Sequence, residues 1–159
     1  MKKIIKPAAA LLVIAVTILG SLALYRSMVH YSGPAAEDTK ARQEKENAIN
    51  GQWQATEDIV CDIYRDERGL FHGLVTITEG SDVVSFFEAS GSWRDDLNGF
   101  KYTDGKKVSN SYLSNGNIES ETVYENGKGS FIIKDGNVYW DDGAEHIAAG
   151  MPFEYVGEY

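Results

Sequence analysis

The fold is decided by the stretch from residue 115 to residue 143, which reads NGNIESETVYENGKGSFIIKDGNVYWDDG. Four Asn-Gly or Asp-Gly pairs divide this stretch into short segments, and two more such pairs, at 98–99 and 104–105, precede it. These dipeptides accept the positive φ angles that the tight turns of hairpins require. The pattern therefore predicts short consecutive strands joined by tight turns, which is an antiparallel meander.

The segments before this stretch extend the same pattern. Residues 71–78 read FHGLVTIT, which is rich in β-branched residues, and no long amphipathic helix pattern follows Gly51. About eight strands, each packed on its sequence neighbour, can close into an up-and-down barrel, and closure removes exposed strand edges. The sequence therefore predicts an all-β domain that forms a roughly eight-stranded antiparallel barrel. A two-sheet sandwich is the alternative.

An apolar N-terminal segment precedes this domain and occupies residues 1–25. Lys2, Lys3 and Lys6 flank a run of apolar and small residues that extends to Tyr25. The run is about 22 residues long, enough for a transmembrane helix. Its basic flank predicts a single-pass protein of the cell membrane, with the N-terminus in the cytoplasm and the C-terminal domain outside. The alternative is a signal peptide cleaved after Ala23, which would release a secreted domain.

The rest of the chain divides into a tether and a domain. Residues 26–50 are polar and carry charges of mixed sign, which predicts a partly helical tether, or spacer. Residues 51–159 are predicted to be the extracytoplasmic β-barrel domain. From Gly51 onward there are 8 Lys+Arg against 20 Asp+Glu, a net charge of −12. A domain this acidic repels nucleic acid and is suited to a basic envelope protein as its partner.

Motifs for catalysis or metal binding are absent from the sequence. The three histidines, His30, His72 and His146, do not have the spacing of a zinc site. No Gly-x-Ser-x-Gly elbow is present to hold a nucleophile. The single cysteine, Cys61, lies in an alternating apolar run and is predicted to be a small buried side chain. We therefore expect a protein that is not an enzyme and that needs no cofactor or metal.

A Gly-x-Trp triplet marks the start of the first predicted strand. It reads Gly51-Gln52-Trp53, and the pattern recurs at Gly91-Ser92-Trp93. The triplet resembles the signature of lipocalins and avidin-like barrels. Over residues 51–156 the chain is also similar to small lipocalin-like, calycin-type β-barrel domains of uncharacterised exported proteins of Gram-positive bacteria, for example at Trp140-Asp141-Asp142. The resemblance implies a lipocalin-like barrel that Trp53 closes at one end.

The predicted ligand site lies on the hairpin around Asn115-Gly116. Glutamates occupy alternate positions on its second strand, and hydroxyl-bearing residues occupy the positions between them. We expect the glutamates to face solvent and Tyr112, Thr122 and Tyr124 to line the barrel interior, where hydroxyls could orient a small amphiphilic ligand. The alternative is an edge hairpin that is solvated on both faces.

Two functions are compatible with these features. The first is a non-catalytic, membrane-anchored extracytoplasmic module that binds a small ligand or a partner protein. The second is a structural or assembly protein of the cell envelope, with a filled barrel and no ligand. An enclosed apolar pocket would favour the first function. A filled barrel with an exposed patch near Phe86-Phe87 would favour the second, because residues 83–87 are apolar on both faces of the strand.

Overall fold

Nine elements of secondary structure follow one another in residues 34–158, the part of the chain that the computed structural model describes. The predicted membrane segment and the start of the tether lie outside these residues. Within residues 34–158, no helix combines the length and the apolar character needed to cross a membrane. The elements are helix α1 (Pro34–Ala48) and strands β1 (Gly51–Thr56), β2 (Ile59–Arg65), β3 (Phe71–Thr78), β4 (Val83–Arg94), β5 (Gly99–Tyr112), β6 (Ile118–Lys134), β7 (Asn137–Asp142) and β8 (Pro152–Gly157).

The eight strands form one antiparallel sheet in sequence order. β1 pairs with β2 on one side and with β8 on the other, so the sheet closes into a ring. Tight turns make this order possible: Asp135 and Gly136, between β6 and β7, have φ angles of 53° and 82°. Such positive angles match the twist of the flanking strands. The prediction of an all-β, eight-stranded antiparallel meander is confirmed, and the alternative of two packed sheets does not form.

Aromatic side chains fill the inside of the ring. Phe100 stacks between Phe71 and Phe131, with ring centroids 5.7 and 4.9 Å away. Trp140 lies between Phe131 and Phe87, with its ring centroid 6.0 Å from that of Phe131 and 4.8 Å from that of Phe87. All five rings are buried. Full burial of one such side chain contributes about 1.5–3 kcal/mol, so this stack is a major favourable contribution to folding.

The C-terminal end of α1 packs against the ring. Ile49, which directly follows the helix, is buried in the same core cluster. Its carbonyl oxygen accepts a hydrogen bond from Trp53 Nε1 at 2.9 Å. Glu46 is 5% exposed and lies 2.8 Å from both Arg42 and Arg65. These contacts fix the entry of the chain into β1.

Two of the six predicted turns are not turns. Asp104-Gly105 lies inside β5, Asn126-Gly127 lies inside β6, and Gly105 pairs with Gly127. The register shifts on both sides of this pair, which is the signature of β-bulges. A Cβ atom on Gly105 would lie 2.9 Å from ring carbons of Phe87 and Tyr102, so the core requires glycine here. The prediction of turns at these two sites was wrong, and β5 and β6 form one long hairpin.

The far part of this hairpin, residues 106–128, is called the ribbon below. β4 pairs with β5 as far as Ser111. β7, by contrast, pairs with β6 only over residues 129–134. Along Ile118–Lys128, β6 therefore has β5 as its one neighbour among the strands of residues 34–158. Among these described residues the other edge of β6 is open from Ile118 to Gly127, whereas the carbonyl oxygen of Lys128 accepts a hydrogen bond from the N–H of Gly143 at 3.0 Å.

Candidate functional site

A partly buried ion pair, formed by a buried lysine and exposed glutamates, holds the base of the ribbon. Lys107 is 5% exposed, and its Nζ lies 2.8 Å from Glu145 Oε2 and 3.9 Å from Glu79 Oε1. Ser85 donates its hydroxyl to the same Glu79 oxygen at 3.0 Å. Partners of this kind are needed because an unpaired ammonium group is costly to remove from water. Lys107 thereby ties the ribbon to the segments that follow β3 and β7.

Tyr124 and Asp142 form a second anchor at the base. The Tyr124 hydroxyl donates to Asp142 Oδ2 at 2.9 Å. Asp142 is 1% exposed and also accepts hydrogen bonds from the backbone N–H groups of Ala144 and Glu145. Burial, followed by the hydrogen bond to Asp142, raises the pKa of Tyr124. The phenol therefore stays protonated at neutral pH and remains a donor.

A bulge at Val123 reverses the faces that the sequence pattern predicts. Tyr124 lies opposite Lys107, but Thr122 lies opposite the next residue, Val108. Three consecutive residues of β6 thus span two of β5, and Val123 is the extra residue. Because strand side chains alternate, this insertion places Tyr124 and Thr122 on opposite faces. Tyr124 takes the inner face, and Thr122 takes the outer one.

The three residues predicted to bind a ligand are therefore not brought together inside the ring. Tyr124 is half-buried and packs on Phe87, with ring centroids 6.3 Å apart. Tyr112 is 43% exposed, and Thr122 is exposed as well. The expectation that Tyr112 and Thr122 line the interior was wrong, because the bulge shifts the alternation and the ribbon extends beyond the closed part of the sheet. Their assignment to a ligand site stays a prediction.

Trp53 is buried at the junction of α1 and β1. It is 3% exposed and meets the ring of Tyr155 edge-on, with centroids 5.1 Å apart. This placement is compatible with the role that the Gly-x-Trp resemblance implies. That Trp53 closes one end of a barrel stays a prediction.

The surface of the ribbon is divided into an apolar and an acidic strip. Tyr112 and Ile118 pair across the ribbon on its outer face and are 43% and 57% exposed. Glu119 and Glu121 lie on the other, inner face of the ribbon and are exposed too. Val123, at the bulge, is 42% exposed. The ribbon therefore offers apolar and negatively charged groups side by side, which suits contact with a protein.

The open edge of β6 presents backbone groups that pair with no strand in residues 34–158. Tyr112 directs its N–H away from β6, to the carbonyl oxygen of Asp82. In an antiparallel pair, two directly opposed residues either both direct their N–H and C=O groups toward each other or both direct them away. These two arrangements alternate along the strands. Ile118, the partner of Tyr112, therefore directs its N–H and C=O away from β5. Ser120 and Thr122 do the same.

A groove of 220 Å³ lies on the outer face of strands β2 to β5. Tyr64, His72 and Ser90 lie side by side across three of these strands. Ser90 donates its hydroxyl to Asp104, whereas His72 Nε2 lies 3.2 Å from Asp66 Oδ2. Different carboxylates thus hold the hydroxyl and the imidazole, and within residues 34–158 no hydrogen bond joins Ser90 to His72. In this arrangement the imidazole of His72 is therefore not placed to take the proton of the Ser90 hydroxyl.

Metal ligands do not converge in the described part of the chain. Among residues 34–158, no three His, Cys, Asp or Glu side chains are placed to hold a metal ion.

Lys107 and Asp142 are central to the anchors but were not predicted from the sequence. Lys107 follows Lys106, and nothing in this pair of identical residues marks the one that is buried. Asp142 precedes Gly143, and this pair was interpreted as a turn signal rather than as a buried hydrogen-bond acceptor. An aspartate at such a position is also suited to accept backbone N–H groups, and that signal could have indicated its role.

The chain was compared with known proteins at three levels. No family model, no curated protein and no solved structure matches it.

Proposed function

We propose that this protein is a non-catalytic binding module, anchored in the membrane by residues 1–25, whose lipocalin-like domain outside the cytoplasm recognises a partner protein through the ribbon. The observation that carries the proposal is a contrast between two parts of the sheet. The inside of the ring is filled with aromatic rings, whereas the ribbon extends into solvent with exposed apolar side chains. Recognition by the outer surface therefore fits the molecule better than a ligand carried inside.

The anchors at the base of the ribbon support this proposal. Lys107 and Tyr124 each bond a side chain outside β5 and β6, namely Glu145 and Asp142. A ribbon held in one orientation loses less conformational freedom when a partner binds, and such preorganisation favours affinity. The two anchors therefore support a role of the ribbon in recognition by holding it in place.

Site-specific photo-crosslinking in living cells of the source organism tests this function. A photoreactive residue is placed at Ile118 in the full-length chain, and a matched control is placed at Val156 on β8. The two side chains are similarly exposed, at 57% and 54%. We expect an adduct of defined mass from Ile118 and none from Val156. Equal crosslinking at both positions, or none at either, would overturn the proposal.

A structural or assembly role in the cell envelope is the second candidate, and the filled interior favours it equally. The crosslinking yield separates the two functions. An assembly role predicts that nearly every copy is crosslinked at Ile118 under all growth conditions. Recognition of a transient partner predicts a smaller yield that changes with the abundance of that partner.

A further inference from the structure

We propose that the partner contributes an extended basic segment, which pairs with the open edge of β6 at Ile118, Ser120 and Thr122 and adds a strand to the sheet. This inference rests on the proposed function and specifies the partner. It follows from the direction of the backbone groups at that edge and from the charge of the side chains beside them.

The backbone provides a ready template for another strand. Ile118, Ser120 and Thr122 each direct one N–H and one C=O toward the open edge, and all three residues are exposed. An extended peptide placed there would form ladder hydrogen bonds with these groups, as in other cases of strand addition. The bulge at Val123 ends the regular pattern, so the template covers residues 118–122.

The side-chain rows of the sheet specify which strand fits. On the inner face of the ribbon, Ser109 of β5 lies opposite Glu121 of β6, and Ser111 lies opposite Glu119. An added strand would place one residue directly beside each of these glutamates. A lysine or arginine at that position would form a cross-strand pair of opposite charge with the glutamate. On the outer face, Val108 lies opposite Thr122, and a β-branched residue of the added strand would pack well beside this pair. The fitting segment therefore alternates basic and apolar residues.

The same charges disfavour a second copy of this chain as the occupant. Two β6 edges paired with each other would bring Glu119 and Glu121 of both copies together, and like charges across a pair are destabilising. Charged side chains are a common protection of open strand edges against self-association. Glutamates protect this edge from acidic strands but attract a basic one.

A synthetic peptide is a direct probe of the inference. The full-length chain is titrated with a ten-residue peptide of alternating lysine and valine, and binding is followed by fluorescence anisotropy. A peptide of alternating glutamate and valine, and one with the lysines and valines in separate blocks, serve as controls. We expect the alternating basic peptide to bind at least about tenfold more tightly than either control, because only it matches both charge and alternation. Its binding should also slow amide hydrogen exchange at Ile118, Ser120 and Thr122.

Two variants at one position separate strand addition from other contacts. Ser120→Pro removes an N–H that faces the open edge and is tolerated at strand edges, whereas Ser120→Ala keeps this N–H. We expect Ser120→Pro to weaken peptide binding about tenfold and Ser120→Ala to leave it unchanged. Thr122→Pro with Thr122→Val repeats the comparison. Unchanged amide spectra outside the ribbon verify that each variant is folded.

Each outcome identifies which idea fails. If the alternating basic peptide binds no better than the controls, or if both proline variants bind it normally, strand addition is overturned. The proposed function then still stands if Ile118 crosslinks to a partner, and it fails as well if Ile118 does not. Self-association of the full-length chain that Ser120→Pro abolishes would show that a second copy occupies the edge, which also overturns the inference.

Discussion

The indole N–H of Trp53 donates a hydrogen bond to the carbonyl oxygen of Ile49, 2.9 Å away, and both residues are buried. Ile49 directly follows α1, and Trp53 is the third residue of β1. The bond therefore joins the end of the helix to the strand that closes the sheet, and the stability of the domain should depend on it.

Truncation of Trp53 tests this dependence. We expect Trp53→Ala to lower the free energy of unfolding by about 3–5 kcal/mol, because it removes a buried aromatic side chain. Trp53→Phe keeps a ring but removes the hydrogen bond to Ile49, which is worth about 0.5–1.5 kcal/mol. Urea unfolding followed by circular dichroism measures both. A free energy unchanged by Trp53→Ala would contradict the buried placement.

The ion pair of the buried Lys107 gives a second prediction. We expect Lys107→Ala to lower the free energy of unfolding by about 1.5–3 kcal/mol, because it removes a charged hydrogen bond to Glu145. Lys106→Ala is the matched control, since this neighbour is half-exposed in its pair with Glu125 and should change stability by less than about 1 kcal/mol. Thermal and urea unfolding measure the difference. Equal effects of the two variants would mean that Lys107 is not the anchor.

Asp66 makes stability depend on pH in acid. Its hydrogen bond with the backbone of Leu70, followed by contacts with His72 and Arg68, lowers the pKa of Asp66 from 3.8 to about 2. A lowered pKa stabilises the fold above the ordinary value, and this contribution is lost as the pH falls from about 4 to about 2. Asp66→Asn should therefore be less stable than the natural chain at pH 6.

Thermal midpoints measured from pH 6 to pH 2 show whether the two curves converge. The difference between Asp66→Asn and the natural chain should shrink as the pH falls below about 4, because protonation then removes the same charge from Asp66. Glu67→Gln, an exposed neighbour, serves as the control and should show no such trend. A constant difference at every pH would refute the role of the Asp66 charge.

Cys61 should be unreactive as long as the domain is folded. It is fully buried, and burial raises the pKa of its thiol well above the usual range. Because the thiolate is the reactive form, we expect a thiol reagent at pH 8 to label Cys61 only when the domain unfolds. The labelling rate should therefore rise with urea in parallel with the unfolding signal. Rapid labelling of the folded chain would contradict the burial of Cys61.

Native mass spectrometry tests the filled interior. The chain purified from its own organism should have the mass of the polypeptide alone, because aromatic rings occupy the space where a carried ligand would lie. The same measurement after denaturation is the control for covalent modification. A molecule lost only on denaturation would show that the protein carries a ligand after all.

The sequence by itself determined that the domain is an antiparallel meander of short strands. Short alternating segments separated by Asn-Gly and Asp-Gly pairs allow few arrangements other than consecutive antiparallel strands, because both signals are local. Four of the six pairs lie at strand ends, as predicted. The burial of Cys61 followed from the local alternation as well, whereas that of Trp53 was implied by the resemblance of the Gly-x-Trp triplet to the lipocalin signature.

Only the tertiary structure decided where strands continue through a turn signal and which face each residue takes. Gly105 pairs with Gly127 inside the long hairpin, although each belongs to a dipeptide that elsewhere ends a strand. Val123 adds one residue to β6 and so places Thr122 on the opposite face from Tyr124. The physical reason is that a dipeptide that tolerates positive φ and crowded backbone positions fits a turn or a bulge equally well: Asn126 has a φ of 58° inside β6, whereas Gly105 is needed because the core leaves no room for a Cβ atom. The outcome depends on whether the partner strand continues past it, and cross-strand pairing is settled by core packing between residues distant in sequence.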